Sequence, residues 1–125
     1  MLGATGKADP EIIQLAYELG QQIAPQGWVL LTGGRNIGVM DAASRGAKEV
    51  GGLTLGILPG NDRRQASAYL DIAVVTDLGN ARNNVNVLTS DVVVCCGMGL
   101  GTLSEIALAT KQNRHVMFLE YFDNK

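Results

Sequence analysis

Apolar residues return along this chain in two alternating rhythms, steps of three to four residues and short unbroken runs, and each rhythm predicts an element. Between Asp9 and Ala24, Ile12, Leu15, Ala16, Leu19 and Ile23 share one stripe of a helix, and Pro10 suits its first turn. Trp28-Val29-Leu30-Leu31-Thr32 has the character of a strand buried on both faces, ended by Gly33 and Gly34. Val39, Ala42, Ala43, Ala47 and Val50 predict a second helix over 38–50, stopped by Gly51-Gly52. Leu53 to Leu58 predicts another buried strand, closed by Pro59-Gly60. The stretch 61–70 is polar at first and then compatible with a helical turn, before a strand from Ile72 to Val75. A helix over 79–90 with Val85 and Leu88 on one face, a strand Val92 to Cys96, a helix over 102–111 and a strand His115 to Leu119 complete the alternation.

Apolar strands that alternate with helices imply an α/β fold with a doubly wound parallel sheet, Rossmann-like and three-layered. The 125 residues, 46% of them hydrophobic, fill one core, and no repeat or linker divides them, so 1–125 reads as a single nucleotide-binding domain. Such sheets bind ligands beyond the carboxyl ends of their strands. That rule points to 32–38, 59–64, 76–82 and 97–102. Charge narrows the partners. With 18% charged residues and a net charge of -2, the chain has no basic cluster to hold nucleic acid or an acidic membrane. No apolar run approaches the ~20 residues of a spanning helix, and the amino terminus lacks a signal-peptide pattern, so a cytoplasmic location is expected. Cys95 and Cys96, adjacent in a strand, point to opposite faces and read as two buried thiols in a reducing compartment.

Candidate chemistry concentrates in two glycine-rich turns. In Cys96-Gly97-Met98-Gly99-Leu100-Gly101-Thr102 a strand runs through three glycines into a helix, where free amides and the helix dipole favour a phosphate. The alternative is a tight turn without a ligand. Thr32-Gly33-Gly34-Arg35-Asn36-Ile37-Gly38 is a second turn of this kind and adds a guanidinium, either for an anion or for solvent. Thr102-Leu103-Ser104-Glu105 is a capping box, so Glu105 has two open roles: tying down a helix start, or placing a carboxylate beside a ligand as general acid or base. Arg82 opens a helix just after a strand, where it either reaches a phosphate or lies on the surface. His115 falls at the far end of the sheet and reads as structural or exposed. One histidine and two adjacent cysteines give no metal-ligand spacing, no G-x-S-x-G elbow is present, and no resident cofactor is called for.

These residues resemble the Lonely Guy family and its lysine-decarboxylase-like relatives, which include cytokinin-nucleotide phosphoribohydrolases and molybdenum cofactor carrier proteins. The resemblance runs from about Gly3 to Leu119. Gly33-Gly34-Arg35-Asn36-Ile37-Gly38-Val39-Met40 resembles the family's G-G-x-x-x-G-x-M turn, and Gly99 to Glu105 the end of its P-G-G-x-G-T-x-x-E signature. Arg82 stands where the enzymes carry the arginine of M-H-x-R-K. The resemblance implies that Arg82 and Glu105 form the pair with which the enzymes cleave base from ribose monophosphate, and that Gly33, Gly34, Arg35, Gly38, Gly97, Gly99, Leu100, Gly101 and Thr102 bind the ligand. Gly97-Met98 replaces the opening proline-glycine, and Asn80-Ala81-Arg82-Asn83 lacks the flanking methionine, histidine and lysine, a pattern closer to the carrier-like branch. The expected function is therefore binding or carrying a phosphorylated nucleotide-like or pterin-like molecule, with nucleoside 5'-monophosphate hydrolysis as the alternative. Met1-Leu2-Gly3 leaves almost nothing of the family's usual first strand, so a truncated strand is expected, and a homodimer or higher homo-oligomer with it.

Overall fold

A computed structural model describes residues 2–3, 10–96, 107, 110–111 and 115–119, and within them the predicted alternation forms. The strands are β1 (Leu2–Gly3), β2 (Leu30–Thr32), β3 (Thr54–Leu58), β4 (Ile72–Val75), β5 (Val92–Cys96) and β6 (His115–Leu119). The helices are α1 (Pro10–Ile23), α2 (Gly38–Glu49) and α3 (Arg82–Thr89). Ala107, Thr110 and Lys111 are helical, as expected for 102–111, and the rest of that segment lies outside the described residues.

Every strand pairing is parallel, in the order β4-β3-β2-β1-β5-β6. The order reverses between β1 and β5, which is where a doubly wound sheet opens its ligand crevice. Successive residues of β2 and β5 feed opposite cores, as a doubly covered sheet requires. Leu30 and Cys96 are buried under α1 and α2 with Ala16, Val39, Ala42, Ala43 and Ala47, and Val94 packs against them. Leu31, Ile57 and Val93 join Val87 of α3 on the other side. The short first strand expected from the sequence takes the central position. Leu2 lies opposite Thr32, and Leu2 and Gly3 lie opposite Val94 and Cys95. Leu30 and Leu31 then pair only with β3, and Val92 and Val93 only with β6, among the described residues.

Two expectations need correction. Trp28 and Val29 are not in a buried strand: the ladder starts at Leu30, and Trp28 is 62% exposed. A left-handed Gly27 turns the chain out of a short 3-10 segment after α1, so both residues precede the covered part of the sheet. The possible helical turn in 61–70 is an irregular loop. In α3, Val85 and Leu88 share one face as expected, and that face points outward, whereas Asn83, Asn86 and Val87 face the protein. His115 and Cys96 match expectation, one exposed at the amino end of β6 and one fully buried as a free thiol. No helix among the described residues is long and apolar enough to cross a membrane.

Helices α1 and α2 cross on glycine. A methyl on Gly20 would stand 2.1 Å from the Ala43 carbonyl oxygen, and one on Gly46 2.1 Å from that of Tyr17. Beside this contact, the Tyr17 hydroxyl donates to Glu49, Gln21 donates to that hydroxyl at 3.0 Å, and Arg45 lies 4.5 Å over the ring. Because the atoms in the way are backbone, the helices must separate to admit a side chain. Gly20→Ala is expected to destabilise the fold by about 1–3 kcal/mol, seen as a lower denaturant midpoint at unchanged m-value.

At the amino end of the sheet, Asp71 joins β3 and β4. Its carboxylate accepts from Lys48 Nζ at 2.8 Å and from the Thr54 amide at 2.8 Å, while Thr54 Oγ1 donates to the Tyr69 carbonyl at 2.6 Å. The Lys48 hydrogen bond first, then the Thr54 amide, holds the Asp71 carboxyl below the usual carboxylate range. A depressed folded value contributes stability above the unfolded pKa and loses it as pH falls through the folded one. Melting curves taken from about pH 6 down to about pH 3 should therefore fall more steeply for the parent chain than for Asp71→Asn; parallel curves would contradict this.

Candidate functional site

The loops after β2, β3 and β4 lie together at the carboxyl end of the sheet. In the first, buried Thr32 accepts the Gly34 amide on Oγ1 at 2.9 Å, which folds the chain back at once. Gly34 has φ +80°, and a Cβ there would stand 3.1 Å from the Gly56 Cα, so both the left-handed backbone and the contact with β3 favour glycine. The long loop after β3 is laid over this turn. Ser67 N donates to Gly34 O and Asn36 N to Gln65 O, each at 2.8 Å, and Arg35 bridges Ala66 as an antiparallel pair. Buried Ser67 then donates its hydroxyl to Asp41 Oδ1 at 2.7 Å, fixing the loop to the first turn of α2.

This clamp divides the amides of the turn. Those of Gly34 and Asn36 are used internally. Those of Gly38, Val39 and Met40 open α2, which has no side-chain cap, and they meet no acceptor among the described residues. Arg35 is half-buried, and its Nε likewise meets no acceptor among the described residues. Arg64 pairs with Asp62 at 2.7 Å on the exposed part of the loop, and that guanidinium holds the Asp62 carboxyl below its usual range.

Arg82 enters from the third loop. It opens α3, and its Nη1 donates to the Ile57 carbonyl of β3 at 3.3 Å. The guanidinium packs on Gly33: a Cβ on that glycine would lie 2.6 Å from Nη1, 3.1 Å from Nη2 and 2.7 Å from Met40 Sδ. Four residues on, Asn86 is 1% exposed. With its amide oriented to satisfy both ends, Asn86 accepts from Arg82 Nη1 at 3.3 Å and donates to the Arg82 carbonyl at 3.2 Å. Asn83, next to the arginine, is also buried.

Gly33, Gly34, Arg35, Gly38 and Arg82 thus come together at one end of the sheet. Gly97, Gly99, Leu100, Gly101, Thr102 and Glu105 lie outside the described residues. Sequence reasoning passed over Asn86, the Ile57 carbonyl and the Asp41–Ser67 link. A polar residue four positions after Arg82 was the available signal for Asn86; the other two depend on tertiary placement.

The two glycines respond differently to a methyl. At Gly33 it meets the side-chain ends of Arg82 and Met40, whereas at Gly34 it meets backbone at a positive φ. Gly33→Ala is therefore expected to leave the melting temperature within a few degrees of the parent while displacing the Arg82 guanidinium, a shift visible in a crystal structure. Gly34→Ala should destabilise by about 1–3 kcal/mol.

The sequence profile of the SLOG cluster4 family matches residues 1–125. Among solved structures, the molybdenum cofactor binding protein of Rippkaea orientalis superposes with a TM-score of 0.94 at 58% identity, over 97% of this chain and 74% of that one. The molybdenum cofactor carrier protein of Chlamydomonas reinhardtii superposes with a TM-score of 0.87 at 48% identity, over 97% and 74%. A cytokinin riboside 5'-monophosphate phosphoribohydrolase of Mycobacterium tuberculosis is 33% identical over 105 residues, 82% of this chain and 56% of that protein. The resemblance read from the two glycine turns is thereby met, and the chain belongs to the SLOG cluster4 family.

Proposed function

We propose that this chain binds or carries a phosphorylated pterin-like or nucleotide-like small molecule, the molybdenum cofactor first among them, at the carboxyl end of its sheet. The observation that carries the reading is the Arg82 guanidinium held against the first glycine turn, beside amides opening α2 that meet no acceptor among the described residues. Amides at a helix start and a guanidinium are both donors to an oxyanion, and together they suit a phosphate. The cofactor-binding and carrier proteins of Rippkaea and Chlamydomonas, similar over 97% of this chain, support the choice of ligand. In this reading Gly33, Gly34, Arg35 and Gly38 shape one wall, Gly97, Gly99, Leu100, Gly101 and Thr102 the other, and Glu105 adds a polar contact.

The mycobacterial relative supports a second reading, hydrolysis of a nucleoside monophosphate, with Arg82 holding phosphate and Glu105 assisting proton transfer. This chain spans 56% of that enzyme. Asn83 weighs against it, because the position where the hydrolases carry lysine is buried here, and an ammonium would lose its hydration there. We propose further that 1–125 acts as one domain, in the cytoplasm where the buried Cys96 stays reduced, with neither nucleic acid nor membrane as partner. It works as a homodimer or larger homo-oligomer, a state supported by the outward Val85 and Leu88 of α3 and by exposed Ile72 and Val74 on β4.

Equilibrium binding with molybdopterin, AMP and ribose 5-phosphate tests the proposal, with light scattering on the same sample. Saturable molybdopterin binding by a dimer or larger species, weakened about tenfold or more by Arg82→Met, is expected. No affinity for any of the three would end the ligand reading. Release of free base from nucleoside monophosphates, abolished by Glu105→Gln, would replace it with the hydrolase.

A further inference from the structure

We propose that Asn86 is a positioning residue: its buried carboxamide fixes the direction of the Arg82 guanidinium and thereby sets the strength with which the site takes an anion. The inference rests on the ligand reading above. It begins from an oddity of α3, which turns Asn83 and Asn86 inward and Val85 and Leu88 outward. Packing alone favours the reverse, since Val87, one position on, already belongs to an apolar cluster with Leu31, Ile57 and Val93. A buried amide needs partners for both its ends. Asn86 finds them in a single residue, donating to the Arg82 carbonyl at 3.2 Å and accepting from Arg82 Nη1 at 3.3 Å. The spacing of four places the two side chains on the same side of the helix.

The consequence for Arg82 is geometric. Its Nη1 is shared between Asn86 and the Ile57 carbonyl, and Gly33 leaves room for the guanidinium to lie against the turn. Two acceptors on one nitrogen, the Ile57 carbonyl and the Asn86 amide oxygen, define the plane of the guanidinium more closely than one does. Among the described residues, the Asn86 side chain bonds nothing but Arg82, so an apolar side chain of equal size would fill the same space and lose only the aim.

Asn86→Leu, Arg82→Met and the double variant separate this role from packing. Nitrogen-15 spectra of the ligand-free protein report rotation of the Arg82 guanidinium, which is expected to be slow in the parent and fast in Asn86→Leu. Molybdopterin affinity should fall about tenfold in Asn86→Leu, further in Arg82→Met, and no further in the double variant, because the first change acts only through Arg82. Additive losses in the double variant, or unchanged guanidinium rotation in Asn86→Leu, would overturn the proposal. If the parent binds no molybdopterin, the ligand reading fails, and the spectra alone decide the role of Asn86. Asn86→Ala serves should the leucine variant not fold.

Discussion

Where Gly33 would carry a side chain, the protein places the Arg82 guanidinium and the Met40 sulfur, and three elements meet on that point. Met40 comes from α2, Arg82 from α3, and Gly33 directly follows β2. A guanidinium keeps its charge at any ordinary pH, so it can be enclosed only where fixed acceptors stand ready. β3 supplies one in the Ile57 carbonyl, and α3 supplies another in Asn86. The polar inner side of α3 is thus a requirement of charge, and the apolar residues displaced by it face outward.

The strand and helix rhythm was readable because a parallel sheet is buried on both faces and its strands are apolar throughout. Leu30, Leu31, Val93 and Val94 sort alternately into two cores, as such a run must. The reading failed where tertiary placement overrode the local pattern. Trp28 and Val29 are apolar and continuous with β2, yet they precede the ladder, and nothing in a hydropathy run marks where neighbouring strands begin. Val85 and Leu88 lie on one face of a helix as expected, but the pattern carries no sign that an arginine one turn earlier claims the inner side.

The first glycine turn was legible as a turn and not as a clamp. The paired glycines marked the turn, while the positive φ at Gly34 and its close approach to β3 emerge only in the fold. They did not give the loop that folds over it, because Gln65, Ala66 and Ser67 reach Gly34, Arg35 and Asn36 from thirty residues away in an otherwise irregular segment. Thr32 and that loop together take the amides of Gly34 and Asn36, and the amides opening α2 meet no acceptor among the described residues. A glycine-rich motif by itself does not make this distinction.

An exposed arginine recruited by a ligand surrenders rotamer entropy worth about 2 kcal/mol at the moment of contact. Arg82 surrenders it when the chain folds, since Ile57, Asn86 and the bare face of Gly33 already hold it. In the proposed reading a guest therefore meets a charge that does not travel. Molecules whose anionic group falls short of that spot gain nothing from it, and selectivity passes from the reach of a flexible arm to the dimensions of the guest.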